Sequence, residues 1–139
     1  MLGRESAGGS IADGKAVVRR RLGRTGCPRV GALYARLLGW QVFGEKKGWA
    51  TVAPSEDAGY NLAFQTEKHY LRPVWPTEEG KPQMSMHLDI EVDDLEQAVV
   101  YAVSVGAQVA AYQPQDTVRV MLDPAGHPFC LYIDTSDST

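Results

Sequence analysis

The chain contains little of what marks several common protein classes. Its 139 residues include two cysteines, Cys27 and Cys130, and three histidines, which excludes a scaffold held together by several disulfides. No stretch approaches the roughly 20 apolar residues that a membrane helix needs. Residues 1–15 lack the apolar core of a secretory signal peptide. We therefore expect a cytoplasmic protein without a membrane span.

What is present is the composition of a folded domain with an uneven charge. Hydrophobic residues make up 44% of the chain, and its length suits a single domain. Residues 1–36 carry eight Arg or Lys against two Asp or Glu, a net +6, whereas the remainder carries six against fifteen, a net −9. Such a basic segment is typical of a nucleic-acid arm or a targeting peptide, and it also marks a segment that fits poorly into a fold.

The apolar pattern predicts the order helix–strand–strand–strand twice. In the first round, helical spacing covers residues 30–38, and Gly39 is expected to end the helix. Turn residues then separate three strand candidates at about residues 40–44, 48–53 and 60–66. Residues 67–83 include three prolines and are predicted to form a loop that links two modules.

The second round begins with a strand candidate at residues 84–92. Asp93 and Asp94 are predicted to cap the helix that follows, with Glu96 completing a capping box with Asp93. Gly106 is expected to end this helix. Three further strands are predicted at about residues 107–111, 117–122 and 128–133, the last two joined by the turn sequence DPAG.

This order of elements indicates an α+β fold of two βαβββ modules in one domain. The first strand of module one is atypical in sequence. The predicted organisation is a flexible tail at 1–15, a first module at 16–66, a linker loop at 67–83, a second module at 84–134 and a tail at 135–139.

Three motifs resemble those of one known family. They are residues 33–40 (LYARLLGW), 86–95 (MHLDIEVDDL) and 123–131 (DPAGHPFCL). They are similar to the first helix and strand, the start of the second module and the closing hairpin of glyoxalase-like domains. These domains belong to the vicinal oxygen chelate superfamily, with glyoxalase I, extradiol dioxygenases and bleomycin-resistance proteins. The resemblance spans about residues 30–133. It implies a curled mixed sheet around a cleft for a metal or a ligand, and a homodimer.

The resemblance also locates the metal ligands of the metal-dependent members. His87 matches the histidine that opens the second module, whereas Cys130 stands where glyoxalase I has its closing glutamate. The matching positions of the first module hold Ala63 and Gln65. A divalent metal needs several converging donors. We therefore predict no cofactor, disfavour a divalent metal and regard His87 as the only plausible single ligand.

Strand alternation predicts which side chains face the cleft. The polar residues at 87, 89 and 91 would lie opposite the apolar residues at 88, 90 and 92. His87 is a possible general base, with Asp89 beside it, because imidazole exchanges protons near neutral pH. The predicted ligand-binding residues are Trp49, Gln65, His87, Asp89, Cys130 and Tyr132. Trp75 is expected to act as a lid, a dimer contact or an ordinary packing residue.

These residues support three functional hypotheses. The leading one is a protein that binds a small molecule in the sheet cleft, with possible metal-independent catalysis. The alternative is a divalent-metal-dependent lyase or dioxygenase of the vicinal oxygen chelate type. A remote alternative is nucleic-acid binding through the basic residues 19–24, which rests on charge alone.

The segment before the first helix conflicts with the expected opening strand. Residues 17–22 read VVRRRL, and a central strand buries alternate side chains, which suits arginine poorly. One hypothesis is a shift of the reading frame in the DNA that encodes this segment. The other is a divergent N-terminus in which residues 16–22 form a short edge strand. For the chain as written, we expect residues 1–27 to be disordered or weakly packed.

Overall fold

The computed structural model describes residues 27–136. The chain divides into two compact units, Met1–Tyr70 and Leu71–Thr139, and the boundary falls inside the predicted linker. The tail at 1–15, the possible edge strand at 16–22 and the basic residues 19–24 lie outside the described residues. The predictions about them therefore stay predictions.

The first unit consists of a helix followed by a three-stranded sheet. Helix α1 (Cys27–Leu38) precedes strands β1 (Gln41–Lys46), β2 (Trp49–Ala53) and β3 (Leu62–Gln65). The strands pair antiparallel in the order β1-β2-β3. Gly39 follows α1 with a φ of 68°, a conformation that glycine adopts without steric cost. The predicted helix end is thereby confirmed.

The core of the first unit lies between α1 and one face of this sheet. Leu33 and Leu37 of the helix and Val52 of β2 are fully buried. Tyr34 stacks on Phe64 of β3 with ring centroids 5.3 Å apart. A Cβ atom at position 31, where the chain has glycine, would lie 3.2 Å from that of Ala50. The helix therefore approaches the sheet closely at this position, and the other face of β2 carries Trp49 and Thr51.

The second unit contains a mixed sheet and one helix. Strand β4 (Asp89–Glu91) is followed by helix α2 (Leu95–Ser104) and strands β5 (Gln108–Val109), β6 (Val118–Leu122) and β7 (Pro128–Tyr132). The strand order is β4-β7-β6-β5. Strand β4 pairs parallel with β7, while the other neighbours pair antiparallel. This unit thus has the βαβββ order predicted for the second module.

Alternation along β4 and β7 directs apolar side chains into the core of the second unit. Ile90 is 4% exposed, and Phe129 and Leu131 are fully buried. Burying a side chain of this size stabilises a fold by about 2 kcal/mol. Helix α2 buries Ala98 and Ala102. The predicted inward orientation of residue 90 is confirmed.

Several predicted boundaries differ from those observed. The strand predicted at 84–92 is limited to Asp89–Glu91, and the one at 107–111 to Gln108–Val109. Helix α1 begins three residues before the predicted start at residue 30. A β-strand exists only where a partner supplies hydrogen bonds, so apolar alternation alone overestimates its length. The α+β fold class itself is confirmed, and no helix among residues 27–136 is long and apolar enough to cross a membrane.

The cap of α2 corrects a second prediction. Asp94 is the N-cap residue, and its Oδ1 accepts a hydrogen bond from the backbone N–H of Gln97 at 3.0 Å. The capping box predicted from Asp93 to Glu96 is therefore wrong by one position. Both aspartates satisfy the local pattern, and only the backbone conformation at the helix start selects Asp94.

Replacing the cap tests this assignment. Asp94→Ala should lower the free energy of unfolding by about 1 kcal/mol, because an N–H in the first turn of α2 loses its acceptor. Asp93→Ala is the matched control and should have little effect. Urea denaturation of both variants provides the measurement, and an equal loss in the two would contradict the assignment.

Candidate functional site

Three of the predicted site residues, Asp89, Cys130 and Tyr132, lie on the paired strands β4 and β7. Asp89 lies opposite Cys130, and Glu91 lies opposite Tyr132. Two backbone hydrogen bonds of 2.8 Å flank this pairing, from Cys130 N to the carbonyl of Leu88 and from Val92 N to the carbonyl of Tyr132. Since alternate residues point to the same face, these polar side chains lie opposite the apolar core.

His87, Asp89 and Cys130 form the central cluster of this face. The Nε2 atom of His87 lies 3.1 Å from Oδ1 of Asp89. One ligand-type atom from each of the three residues lies within 4.8 Å of the other two. The side chains of His87 and Asp89 are 36% and 58% exposed, and Cys130 is half-buried. The cluster is therefore accessible to a molecule in solution.

The contact with Asp89 sets the hydrogen-bonding roles of His87. An ionised carboxylate only accepts hydrogen bonds, so the Nε2 atom of His87 carries the proton in this contact. In the neutral ring, Nδ1 then holds the lone pair and can accept a proton. The contact with Asp89 therefore orients the imidazole ring of His87.

Cys130 is held as a thiol. Burial, followed by the negative charge of Asp89 and a hydrogen bond to it, raises the pKa of the Cys130 thiol to about 11. The thiolate is the nucleophilic form of cysteine, so the cluster does not activate Cys130 for attack near neutral pH. The thiol acts as a hydrogen-bond donor to Asp89.

Trp49 and Gln65 belong to the first unit, where they lie opposite each other on β2 and β3. The Nε1 atom of Trp49 donates to Oγ1 of Thr51 at 2.9 Å, and Nε2 of Gln65 donates to Oε1 of Glu67 at 2.8 Å. Trp49 is 40% exposed. Both side chains are thus held on the sheet face opposite α1.

Trp75 has a packing role within the second unit. Its Nε1 atom donates to the carbonyl of Tyr112 at 3.1 Å, and the two rings lie 6.2 Å apart. A hydrogen bond is a common requirement for a partly buried indole. The structure thus shows ordinary packing for this residue.

The donor atoms of the central cluster limit which metal it fits. One imidazole, one carboxylate and one thiol match the ligand types of Zn²⁺. They do not match Mg²⁺ or Ca²⁺, which take oxygen donors. The sequence left His87 as the only plausible single ligand, because Cys130 stands where the resemblance implies a glutamate and Asp89 was not considered as a metal ligand. All three donors come from the second unit.

A second polar cluster, in the β6–β7 turn, was not predicted. Asp123 is 3% exposed, and its Oδ1 accepts hydrogen bonds from the backbone N–H groups of Ala125 and His127 at 2.9 and 3.0 Å. Its Oδ2 lies 2.9 Å from Nδ1 of His127. The DPAG motif predicted the turn. The contact between the side chains of Asp123 and His127 had no sequence signal other than their separation by four positions.

Opposing effects set the protonation of His127. The hydrogen bond that His127 donates to Asp123 raises the pKa of His127 most strongly, burial lowers it, the charge of Asp123 raises it and that of Arg72 lowers it. The net effect is a raised pKa. The protonated form of His127 is therefore favoured in the folded protein.

Comparison with known proteins agrees with this fold. The sequence model of the glyoxalase-like domain matches residues 22–132, so the chain belongs to that family. No curated protein matches the sequence.

Two crystal structures resemble the chain at a TM-score of 0.53 and 17% identity. One is a glyoxalase/bleomycin resistance protein/dioxygenase family enzyme from Burkholderia phytofirmans PsJN, matched over 84% of this chain and 93% of that one. The other is a glyoxalase-related enzyme from Fulvimarina pelagi, matched over 86% and 88%. At this identity the likeness shows the shared fold.

The reactivity of Cys130 tests the environment of the cluster. In a Cys27→Ser variant, Cys130 is the single thiol, and its alkylation rate by iodoacetamide should still rise about tenfold per pH unit up to pH 9.5 because its pKa is raised. Asp89→Asn removes the adjacent charge and should make the rate level off at lower pH. Glu91→Gln, on the same strand face, is the control. A rate that levels off near pH 9 in the parent would contradict the raised pKa.

The turn cluster should make stability depend on pH. Because the folded-state pKa of His127 is raised above 6.5, its protonation stabilises the fold fully below that ordinary value, and this contribution is lost as pH rises through the raised value. The stability lost in His127→Gln should thus be larger at pH 5.5 than at pH 8.5 in urea denaturation.

A double-mutant cycle assigns this effect to Asp123. In an Asp123→Asn background, His127→Gln should lose most of its pH dependence, because the carboxylate that favours the protonated ring is gone. An unchanged pH dependence in that background would contradict the pairing.

Proposed function

We propose that the chain binds a small molecule at the cluster of His87, Asp89 and Cys130. The observation that carries this proposal is the convergence of these side chains on an accessible sheet face. An exposed ion pair contributes only about 0–1 kcal/mol to stability, so folding gives little reason to place a histidine and a carboxylate together there. Binding sites typically hold a few polar groups of this kind beside apolar surface.

The cluster offers a ligand a defined set of hydrogen bonds. His87 presents Nδ1 as an acceptor in its neutral form and as a donor when protonated. Asp89 accepts hydrogen bonds through its carboxylate, and Cys130 contributes a small thiol beside it. Tyr132 follows on β7, opposite Glu91. A ligand with a hydroxyl, amide or carbonyl group suits these partners.

Two other ligand contacts expected from the sequence, Trp49 and Gln65, lie in the first unit. Trp49 offers an aromatic surface whose ring is held by its hydrogen bond to Thr51, and aromatic rings provide large contact areas for ligands. Gln65 faces Trp49 across the β2–β3 pair and carries an amide. Contact of either residue with a ligand stays a prediction from the sequence.

Metal-independent proton transfer is the catalysis that this geometry supports best. His87 would take a proton from the ligand at Nδ1, while Asp89 holds Nε2–H and keeps the ring oriented. The same pair would serve a protein that only binds. Measuring turnover of a bound molecule by the parent and by His87→Ala distinguishes an enzyme from a protein that only binds.

A metal-dependent lyase or dioxygenase is the second candidate. It is favoured by the proximity of three donors within 4.8 Å. His87, Asp89 and Cys130 would hold Zn²⁺, which supplies Lewis-acid polarisation of a ligand oxygen. We rank it second because Cys130 must lose its proton to become a ligand, and its raised pKa opposes this.

Two further properties expected from the sequence are also proposals. We propose a homodimer and a cytoplasmic location, the first from the family resemblance and the second from the composition. Sedimentation of the purified protein tests the first, and fractionation of cells tests the second. Nucleic-acid binding through residues 19–24 stays the remote alternative.

A thermal-shift screen with a library of small polar and aromatic compounds tests the binding proposal. Compounds that raise the melting temperature of the parent should lose affinity about tenfold or more in His87→Ala and Asp89→Asn, since each variant removes a hydrogen-bond partner. Glu91→Gln is the matched control, because it changes an exposed carboxylate of the same strand. Equal affinities in all variants would contradict this location of the site.

Metal analysis of the purified protein tests the metal-dependent candidate. Elemental analysis after purification, and titration with Zn²⁺, Ni²⁺, Mn²⁺ and Fe²⁺, should show no stoichiometric ion whose binding depends on His87. An ion bound one-to-one in the parent and lost in His87→Ala would favour the metal-dependent candidate.

A further inference from the structure

At the turn between β6 and β7, Arg72 lies near His127, apart from the His87–Asp89–Cys130 cluster. Gly126 has a φ of 86°, and a Cβ atom there would overlap the side chain of Arg72, including its Nε and Cζ atoms. The guanidinium of Arg72 therefore lies directly across the turn, over the residue that precedes His127.

The carboxylate of the turn does not neutralise both cations. Asp123 uses Oδ1 for two backbone N–H groups and Oδ2 for His127. Among residues 27–136, the structure contains no ion pair of Arg72 with a carboxylate. Arg72 thus lies close to a second cationic group without an acidic partner in the described part of the chain.

The charges of Arg72 and Asp123 act in opposite directions on the protonation of His127. The charge of Arg72 disfavours protonation of His127 through repulsion, while Asp123 favours it, and the pKa of His127 is raised overall. Two positive groups at the same turn repel each other, and an anion bound near both would relieve this repulsion. The arrangement of Asp123 also fixes the ring of His127, since Nδ1 is held by Oδ2 at 2.9 Å.

We propose that Arg72 and His127 form a binding site for an oxyanion, either a phosphate or a carboxylate group of a small molecule. The planar guanidinium presents a fork of N–H donors that matches two oxygens of such a group. The protonated ring of His127 adds positive charge at the same place. Gly126 leaves room for the guanidinium above the turn backbone. This site goes beyond the proposed function and does not depend on it.

Titration with inorganic sulfate tests the site, because sulfate keeps its charge across the pH range used. The full chain in chloride-free buffer at pH 6 should bind sulfate saturably, followed by ¹H–¹⁵N NMR shifts at the turn residues Ala125, Gly126 and His127. Arg72→Gln should raise the apparent Kd about tenfold, and Arg72→Lys, which keeps the charge without the fork, should have a smaller effect. Lys47→Gln removes one positive charge from the first unit and should leave the Kd unchanged.

The pH dependence identifies the part played by His127. Sulfate binding to the parent should weaken between pH 6 and pH 8.5 as His127 loses its proton, whereas binding to His127→Gln should be weaker at pH 6 and nearly independent of pH. Circular dichroism and the melting temperature without sulfate check that each variant is folded. If Arg72→Gln is unfolded, the sulfate affinities of the parent, Arg72→Lys and His127→Gln test the proposed site instead.

The outcomes separate this site from the one proposed above. Parallel titrations with inorganic phosphate and acetate at pH 6 show which oxyanion class binds more tightly. Absence of saturable shifts with all three anions, or an affinity unchanged in Arg72→Gln, would overturn the proposal. Sulfate binding that keeps its pH dependence in His127→Gln would also overturn it. None of these results bears on ligand binding at His87.

Discussion

The parallel pairing of β4 with β7 determines most of what the second unit can do. Its register sets Asp89 opposite Cys130, and the same register sets Ile90 opposite Leu131. Because side chains alternate along a strand, one shift of the register would exchange the buried and the exposed sets. The apolar core therefore stabilises the register, and the register in turn places the polar cluster.

The β6–β7 turn contributes to the same result from the other end of β7. A carboxylate as buried as Asp123 is costly unless it is hydrogen-bonded, and here it accepts bonds from two backbone N–H groups and contacts His127. Asp123 N also donates to the carbonyl of His127 at 3.0 Å. These bonds stabilise the turn immediately before β7. They thereby support the strand register in which Cys130 lies opposite Asp89.

The polar cluster illustrates how a shared fold takes on different chemistry. The family resemblance marks His87 and the position of Cys130 as a place for metal ligands, yet the chain has a thiol there beside the carboxylate of Asp89. Burial and that carboxylate keep the thiol protonated, which turns the position from a strong anionic ligand into a hydrogen-bond donor. A fold therefore supports a statement about architecture more firmly than one about reaction type.

The local sequence pattern was sufficient to predict much of the architecture. The two helices, the positions of the strands and the turn at 123–126 follow from apolar periodicity and from glycine, proline and aspartate, which act within a few residues. Asp94 shows the limit of that information, since its neighbour Asp93 has the same side chain and only the helix start distinguishes them. The lengths of β4 and β5 were overestimated because pairing partners come from distant parts of the chain.

By itself, the sequence determined the α+β class, the order of the elements and the residue types available for a site. The tertiary structure alone decided that His87, Asp89 and Cys130 meet, because Asp89 and Cys130 are 41 positions apart and become neighbours only through strand register. It likewise decided that Arg72 lies across the turn beside His127. Contacts of this kind depend on the packing of the whole unit, which no local pattern of residues encodes.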